Sequence, residues 1–276
     1  MPASATHVMV KSLHESWMRA ETEAKVLSRE MEFQNRGEHS PMMPAAGRSG
    51  YFSPVAADMV PADEVGGDFY EVAPDSSGNL WISIGDVSGH GVTPGLIMMM
   101  AQTVHTTVTT IPDQDARGAV VKINEILHKN VSGRLRERHF MTFNALRHLG
   151  DGKFKHAGAH LRIIVHRRET GECELIQTKG VYLNFKRDIS KRTKNSYFKL
   201  GEGDVMVLYT DGLTESVRPD GEMLDIGGLV GIVEKHVRLE PEAMKENIMA
   251  DVLEWCDNKR DDDMTLVIVK RKEGGG

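Results

Sequence analysis

Four aspartates stand where alternating apolar runs begin or end. In NLWISIGD (79–86), Leu80, Ile82 and Ile84 share one face of an expected strand and Asp86 continues their line. In GDVMVLYTDG (203–212), Val205, Val207 and Tyr209 lead in the same way to Asp211. In DDDMTLVIVK (261–270), Asp262 precedes Met264, Leu266 and Ile268 in phase, and in GGDFYEV (66–72) Asp68 precedes Tyr70 and Val72. Two carboxylates therefore finish strands and two begin them. Antiparallel pairing puts the end of one strand beside the start of its neighbour, so all four can meet at one sheet edge.

Each close pair of ionised carboxylates repels by about 4 kcal/mol at an effective dielectric of 20. Such a group must either take up protons or surround a cation. With oxygen donors and neither Cys nor paired His nearby, the expected ion is Mg²⁺ or Mn²⁺, and several carboxylates leave room for two. GDVSGHG (85–91) then has a physical reading, in which Asp86 faces metal while the glycines turn the backbone tightly enough for the Val87 carbonyl to reach it. An aspartate beside glycine is also ordinary turn chemistry, so the weight rests on four acids agreeing in phase.

The elements that must position these residues are legible as short β-like runs at 51–60, 67–73, 79–86, 140–148, 153–157, 161–167, 173–178, 204–211 and 264–270. Helices are expected over 94–109, 114–131, 226–236 and 241–256, the first capped by Thr93 with Pro94 at its opening position. Strands cluster rather than alternate strictly with helices, which predicts mostly antiparallel sheet covered by helices. Ahead of them, Val10, Leu13, Trp17, Ala20, Ala24, Leu27 and Met31 recur at intervals of three and four in a stretch without Pro or Gly. This segment reads either as a coiled coil that pairs two chains or as a helix laid on its own domain. The Gly-, Pro- and Ser-bearing run 36–50 reads as a linker.

Composition narrows the function classes. The 276 residues carry 40 acidic and 34 basic side chains, a net charge of −6, which argues against a general binder of nucleic acid or anionic membranes. The longest apolar run, GLIMMMA (95–101), falls far short of the roughly 20 residues that span a bilayer, and no signal sequence opens the chain. Two cysteines, Cys173 and Cys256, without CxxC spacing fit a reducing compartment, so a cytoplasmic location is expected. No GxxxxGK[ST] loop occurs. The basic run KRDISKRTKNS (186–196) reads as a solvated loop or as a docking loop for an acidic phosphoprotein.

PADEVGGDFYEV (61–72), IGDVSGHGV (84–92), HFMTF (139–143), GEGDVMVLYTDGLTES (201–216) and DDDMTLVIVK (261–270) occur in this order, and through them the chain resembles the metal-dependent PPM protein phosphatases, in their bacterial SpoIIE/RsbU-like branch. The resemblance implies an α+β fold, a sandwich of two antiparallel sheets flanked by helices. It also implies a division into an N-terminal helix and linker (1–45), a phosphatase domain (46–272) and a short tail (273–276). By position, Asp86 would bridge two ions, Val87 would offer its carbonyl, Asp211 and Asp262 would bind one ion, and Asp68 would support the other directly or through water. Asp86 and Asp211 are thereby the candidate catalytic residues. Glu215 matches the family's acid after TDG without being given a ligand role.

Departures from the family's pattern are AGAHLR (157–162), KGVYLNF (179–185), Glu71 and TPG (93–95), none of which touches a proposed ligand. The implied activity is hydrolysis of phosphoserine or phosphothreonine on a bacterial signalling protein such as an anti-sigma-factor antagonist, by water activated between two ions. A catalytically weak module that uses the same fold to hold a partner is the alternative. His90 is the nearest candidate by sequence for the general acid, against its reading as a turn residue. A diguanylate cyclase, suggested by GGD alone, leaves the TDG and DDxT motifs unexplained.

Overall fold

The computed structural model describes Phe52 and residues 55–62 and 65–273. The heptad segment, the linker, the 45/46 boundary and the last three residues lie outside the described residues, as does any dimer contact through residues 10–34.

Two five-stranded sheets, antiparallel throughout, stack face to face. Sheet one runs in the order β1 (Ala56–Val60), β10 (Met264–Lys270), β9 (Val205–Tyr209), β6 (Ile163–Arg167), β7 (Glu172–Ile176). Sheet two runs in the order β2 (Asp68–Pro74), β3 (Leu80–Val87), β4 (Met141–His148), β5 (Lys153–Ala159), β8 (Ser196–Lys199). The fold is the expected α+β sandwich. Between the sheets, Tyr70, Leu80, Ile82 and Ile84 of sheet two meet Met206, Leu208, Val267 and Val269 of sheet one, a continuous apolar layer.

Helices α1 (Val92–Thr109) and α2 (Ala116–Asn130) cover sheet two. Helices α4 (Asp225–His236) and α5 (Pro241–Trp255) cover sheet one, burying Leu229, Val233, Met244, Ile248 and Val252 against Val205, Val207 and Leu266. A single helical turn, α3 (Asp211–Thr214), follows β9. Among the described residues no helix is long and apolar enough to cross a membrane.

The departure at Glu71 has a structural use. The carboxylate accepts from His105 Nδ1 at 3.1 Å and from Thr106 Oγ1 at 3.1 Å, while His105 Nε2 pairs with the Ser83 hydroxyl at 2.7 Å. A carboxylate oxygen accepts here, so His105 Nδ1 is the donor to Glu71. The ring also packs edge-on against Phe69 and Phe143, and so locks α1 to sheet two.

Four expectations need correction. The stripe Val205, Val207, Tyr209 and the stripe Met264, Leu266, Ile268 face the α4/α5 layer, whereas Leu80, Ile82 and Ile84 face the other sheet. Asp211 and Asp262 are thus in phase with the outer face of sheet one, and Thr210, Asp263 and Thr265 with its inner face. Asp211 does not end a strand but opens α3, because β9 stops at Tyr209. Helix α1 starts at Val92 with Gly91 (φ 94°) in the cap position and no side-chain cap, so Thr93 does not cap it. Strand β8 was not expected, since its four residues SYFK follow a charged loop without a turn signal.

Candidate metal centre

The cluster forms where both sheets end. In sheet two, Asp68 and Asp86 are direct cross-strand partners in the β2–β3 register. In sheet one, β9 and β10 run antiparallel, so the Thr210–Asp211 end of one lies beside the Asp262–Thr265 start of the other; the Thr210 N–H donates to the Thr265 carbonyl at 3.1 Å. The expected convergence occurs, but across two stacked sheets rather than along one edge.

Asp68, 1% exposed, joins the sheets. Its Oδ2 accepts from Thr210 Oγ1 at 2.7 Å and from Thr265 Oγ1 at 2.6 Å, both on the opposite sheet. Burial holds its carboxyl well above the usual range, the charges of Asp86 and Asp263 raise it further, and the two hydroxyls pull it back. The Asp86 carboxyl is pushed up to about 8, first by burial and then by Asp211, Asp262, Asp263 and Glu215. Asp211 is raised by burial and by Glu215, against the N–H groups that open α3. Asp262 lies at the exposed mouth; partial burial, Asp211 and Asp263 raise it, while the backbone N–H of Asp263 and the exposed His90 oppose the rise.

The three consecutive acids divide their work. Asp261 is exposed and pairs with Lys259 at 2.9 Å. Asp263 is buried and ties down the chain before β2, accepting from Ala62 N at 2.8 Å and Gly67 N at 2.7 Å. Asp262 is left to interact with Asp211 and Asp86. Gly67 is fitted to the same spot, since a Cβ there would stand 2.9 Å from the Val87 carbonyl oxygen and 3.4 Å from Asp86 Oδ1. Gly212 likewise lets α3 press against the chain at Asp263, where a Cβ would fall 2.0 Å from the Asp263 carbonyl.

Behind the acids runs a hydrogen-bond chain that sequence reasoning did not find. The Asp86 N–H donates to Thr142 Oγ1 at 3.0 Å, Thr142 pairs with His160 Nδ1 at 2.8 Å, and His160 Nε2 meets the Tyr209 carbonyl at 2.9 Å. A carbonyl only accepts, so Nε2 carries the hydrogen and Nδ1 accepts from Thr142. Burial depresses His160 to about 4, which keeps the ring neutral and this pattern fixed. His160 is the histidine of the departing motif AGAHLR, and its only sequence signal was its place within that motif. His156, buried on the β4–β5 pair, takes no part in this chain.

Cys256 is buried, and the Cys173 thiol is pushed up to about 12 by burial and Glu234, away from the thiolate form that a nucleophile needs. Among the described residues no group of three or more His, Cys, Asp or Glu side chains is placed so that it could hold a metal ion. The chemistry of the donors nonetheless suits hard divalent ions: carboxylates from both sheets, a backbone carbonyl beside Gly67, and burial with mutual repulsion that raises Asp68, Asp86, Asp211 and Asp262.

Residues 76–272 match the sequence profile of the family described as stage II sporulation protein E (SpoIIE). A curated relative, the phosphoserine phosphatase RsbU of Bacillus subtilis (strain 168), is 27% identical over 222 residues; these make up 79% of this chain and 63% of that protein. The chain thus spans less than two thirds of that relative's length. Among solved structures, the SiaA-PP2C domain of Pseudomonas aeruginosa superposes with a TM-score of 0.72 at 16% identity, covering 94% of this chain and 98% of that one. RsbX in complex with magnesium superposes with a TM-score of 0.55 at 15% identity, covering 79% and 94%. At these identities the superpositions speak to the fold.

Proposed function

The chain belongs to the SpoIIE family, and from that premise we propose that it is a metal-dependent phosphatase that releases phosphate from phosphoserine or phosphothreonine on a signalling protein. One observation carries the reading: acids from both sheets converge on Asp86, and burial plus four further carboxylates lift its carboxyl to about 8. That is the electrostatic signature of a divalent-cation site. Asp86, the Val87 carbonyl, Asp211 and Asp262 are the donors we assign, with Asp68 in support, and they would hold the two ions, Mg²⁺ or Mn²⁺, of this reading. Bound there, such ions acidify water and neutralise charge on a phosphate.

The rest of the chemistry is positional. Asp68 and its two threonine donors hold the sheet ends together, and the Thr142–His160 chain fixes the backbone of Asp86 against Tyr209, two residues before Asp211. His90, exposed and coupled to Asp262, is the candidate for returning a proton to the departing seryl or threonyl oxygen. The RsbU relative, a phosphoserine phosphatase, supports the substrate class, and an anti-sigma-factor antagonist is the kind of substrate that the family resemblance suggests.

Phosphate release from p-nitrophenyl phosphate and from a phosphoserine peptide, with Mn²⁺ or Mg²⁺ and with EDTA, tests this. The expected result is strict metal dependence and a fall of more than about 100-fold in Asp211→Asn, beyond what losing an outer partner of a metal ligand costs. Equal rates in EDTA would overturn it.

A further inference from the structure

KGVYLNF, a stretch that departs from the family's pattern, and the basic run after it come together in one open groove of about 580 Å³. Lys179, Lys186 and Arg192 line it together with Tyr182, Phe185 and His160. Tyr182 is 41% and Phe185 60% exposed. The three cations are exposed, and among the described residues none is paired with a carboxylate. A cationic concavity with bare aromatic walls, on a chain whose net charge is −6, is complementary to an acidic segment.

The loops that form this groove are held in place. Asn184, buried and at φ 61°, donates through Nδ2 to the His139 carbonyl at 2.6 Å, accepts from Ser132 Oγ at 2.8 Å, and its own N–H donates to Asn124 Oδ1 at 2.9 Å. Leu183 exchanges two backbone hydrogen bonds with Met141. The basic run is pinned from α2, where Arg117 donates to the carbonyls of Thr193 and Ser190 at 3.0 and 2.9 Å. A loop that serves only to close a connection does not need this many anchors; a preorganised recognition surface does, because fixing it in advance lowers the ordering cost of binding.

The groove also adjoins the candidate metal centre by two routes. His160, on its wall, is bonded through Thr142 to the Asp86 N–H. Tyr182 stacks on Phe140 at 5.5 Å, and the Phe140 backbone is bonded to Ser88, the residue after Val87. We propose that this groove is the docking site for an acidic segment flanking the phosphorylated residue of the substrate protein, a proposal that rests on the phosphatase reading above.

The probes are a phosphoserine peptide flanked by Asp and Glu, the same phosphoserine flanked by Gln and Gly, and p-nitrophenyl phosphate, assayed with Mn²⁺ on the full chain and on the Lys179→Glu/Lys186→Glu/Arg192→Glu variant. The expected result is that the wild type favours the acidic peptide by at least about tenfold in kcat/KM, the preference shrinking as salt is raised. The variant loses that preference while its rate on p-nitrophenyl phosphate and its melting temperature are unchanged. A wild type that does not discriminate, or a variant that keeps the preference, overturns the proposal. So does a change in oligomeric mass on charge reversal, which assigns the groove to a second copy of the chain. If no substrate is turned over, the phosphatase reading fails instead. Fluorescence anisotropy of the labelled acidic peptide then decides the groove alone: binding lost in the variant supports it, and no binding to the wild type sinks it.

Discussion

A buried carboxylate oxygen that takes two hydroxyl donors from the opposite sheet, as Asp68 Oδ2 does, makes each donor count. Thr265→Val keeps the shape, removes one donor and should cost about 1–3 kcal/mol in urea unfolding. A second residue-scale prediction concerns His156, whose burial depresses it to about 4. The unfolded chain binds that proton near pH 6.5, so its contribution to stability is complete above pH 6.5 and is lost as pH falls toward 4. Melting of wild type and His156→Phe between pH 7 and pH 4.5 should show the variant losing less stability on acidification. Asp68 and Asp86 are in phase with Tyr70 and Ile84 on the inter-sheet face, as the alternation in sequence has them. That alternation reached Asp211 and Asp262 along the helix-facing stripe, and they join the cluster because the chain turns after Tyr209 and before Met264. Thr210, Thr265 and His160 were missed because a lone hydroxyl or imidazole beside a strand carries no pattern until its partner, 142 or 197 residues away for the two threonines and 49 for the histidine, is known.

Among the described residues, the sequence pattern located nine of the ten strands and all four long helices. The ends were harder to read. A glycine cap at α1 and the single turn of α3 are set by how backbone meets backbone at the site, which composition does not encode. The loop into β2 offers the matching test. In Gly67→Ala the methyl would press on the Val87 carbonyl, 2.9 Å away. The metal concentration for half-maximal activity should rise about 10- to 100-fold while the far-UV circular dichroism stays that of the wild type. Unchanged metal dependence would show that this carbonyl takes no part.

For the molecule as a whole, like charge gathered at one end of the sandwich opposes folding until it is neutralised. Without metal at neutral pH, Asp86→Asn should melt several degrees above the wild type, because it removes a carboxyl that is ionised in the unfolded chain and must take up a proton to be buried among the other acids. With Mn²⁺ the order should reverse: at 100 times Kd the wild type gains about 2.7 kcal/mol and the variant far less, as differential scanning calorimetry can measure. Strand β10 carries a further consequence. It lies between β1 and β9, pairing the first described strand with one about 145 residues later, and it begins two residues after Asp262. A chain that ended before residue 264 would therefore leave β1 with no neighbour in sheet one and Asp68 without Thr265. The strand that pairs with β1 and a donor that Asp68 takes from sheet one thus arrive together, in the same seven residues.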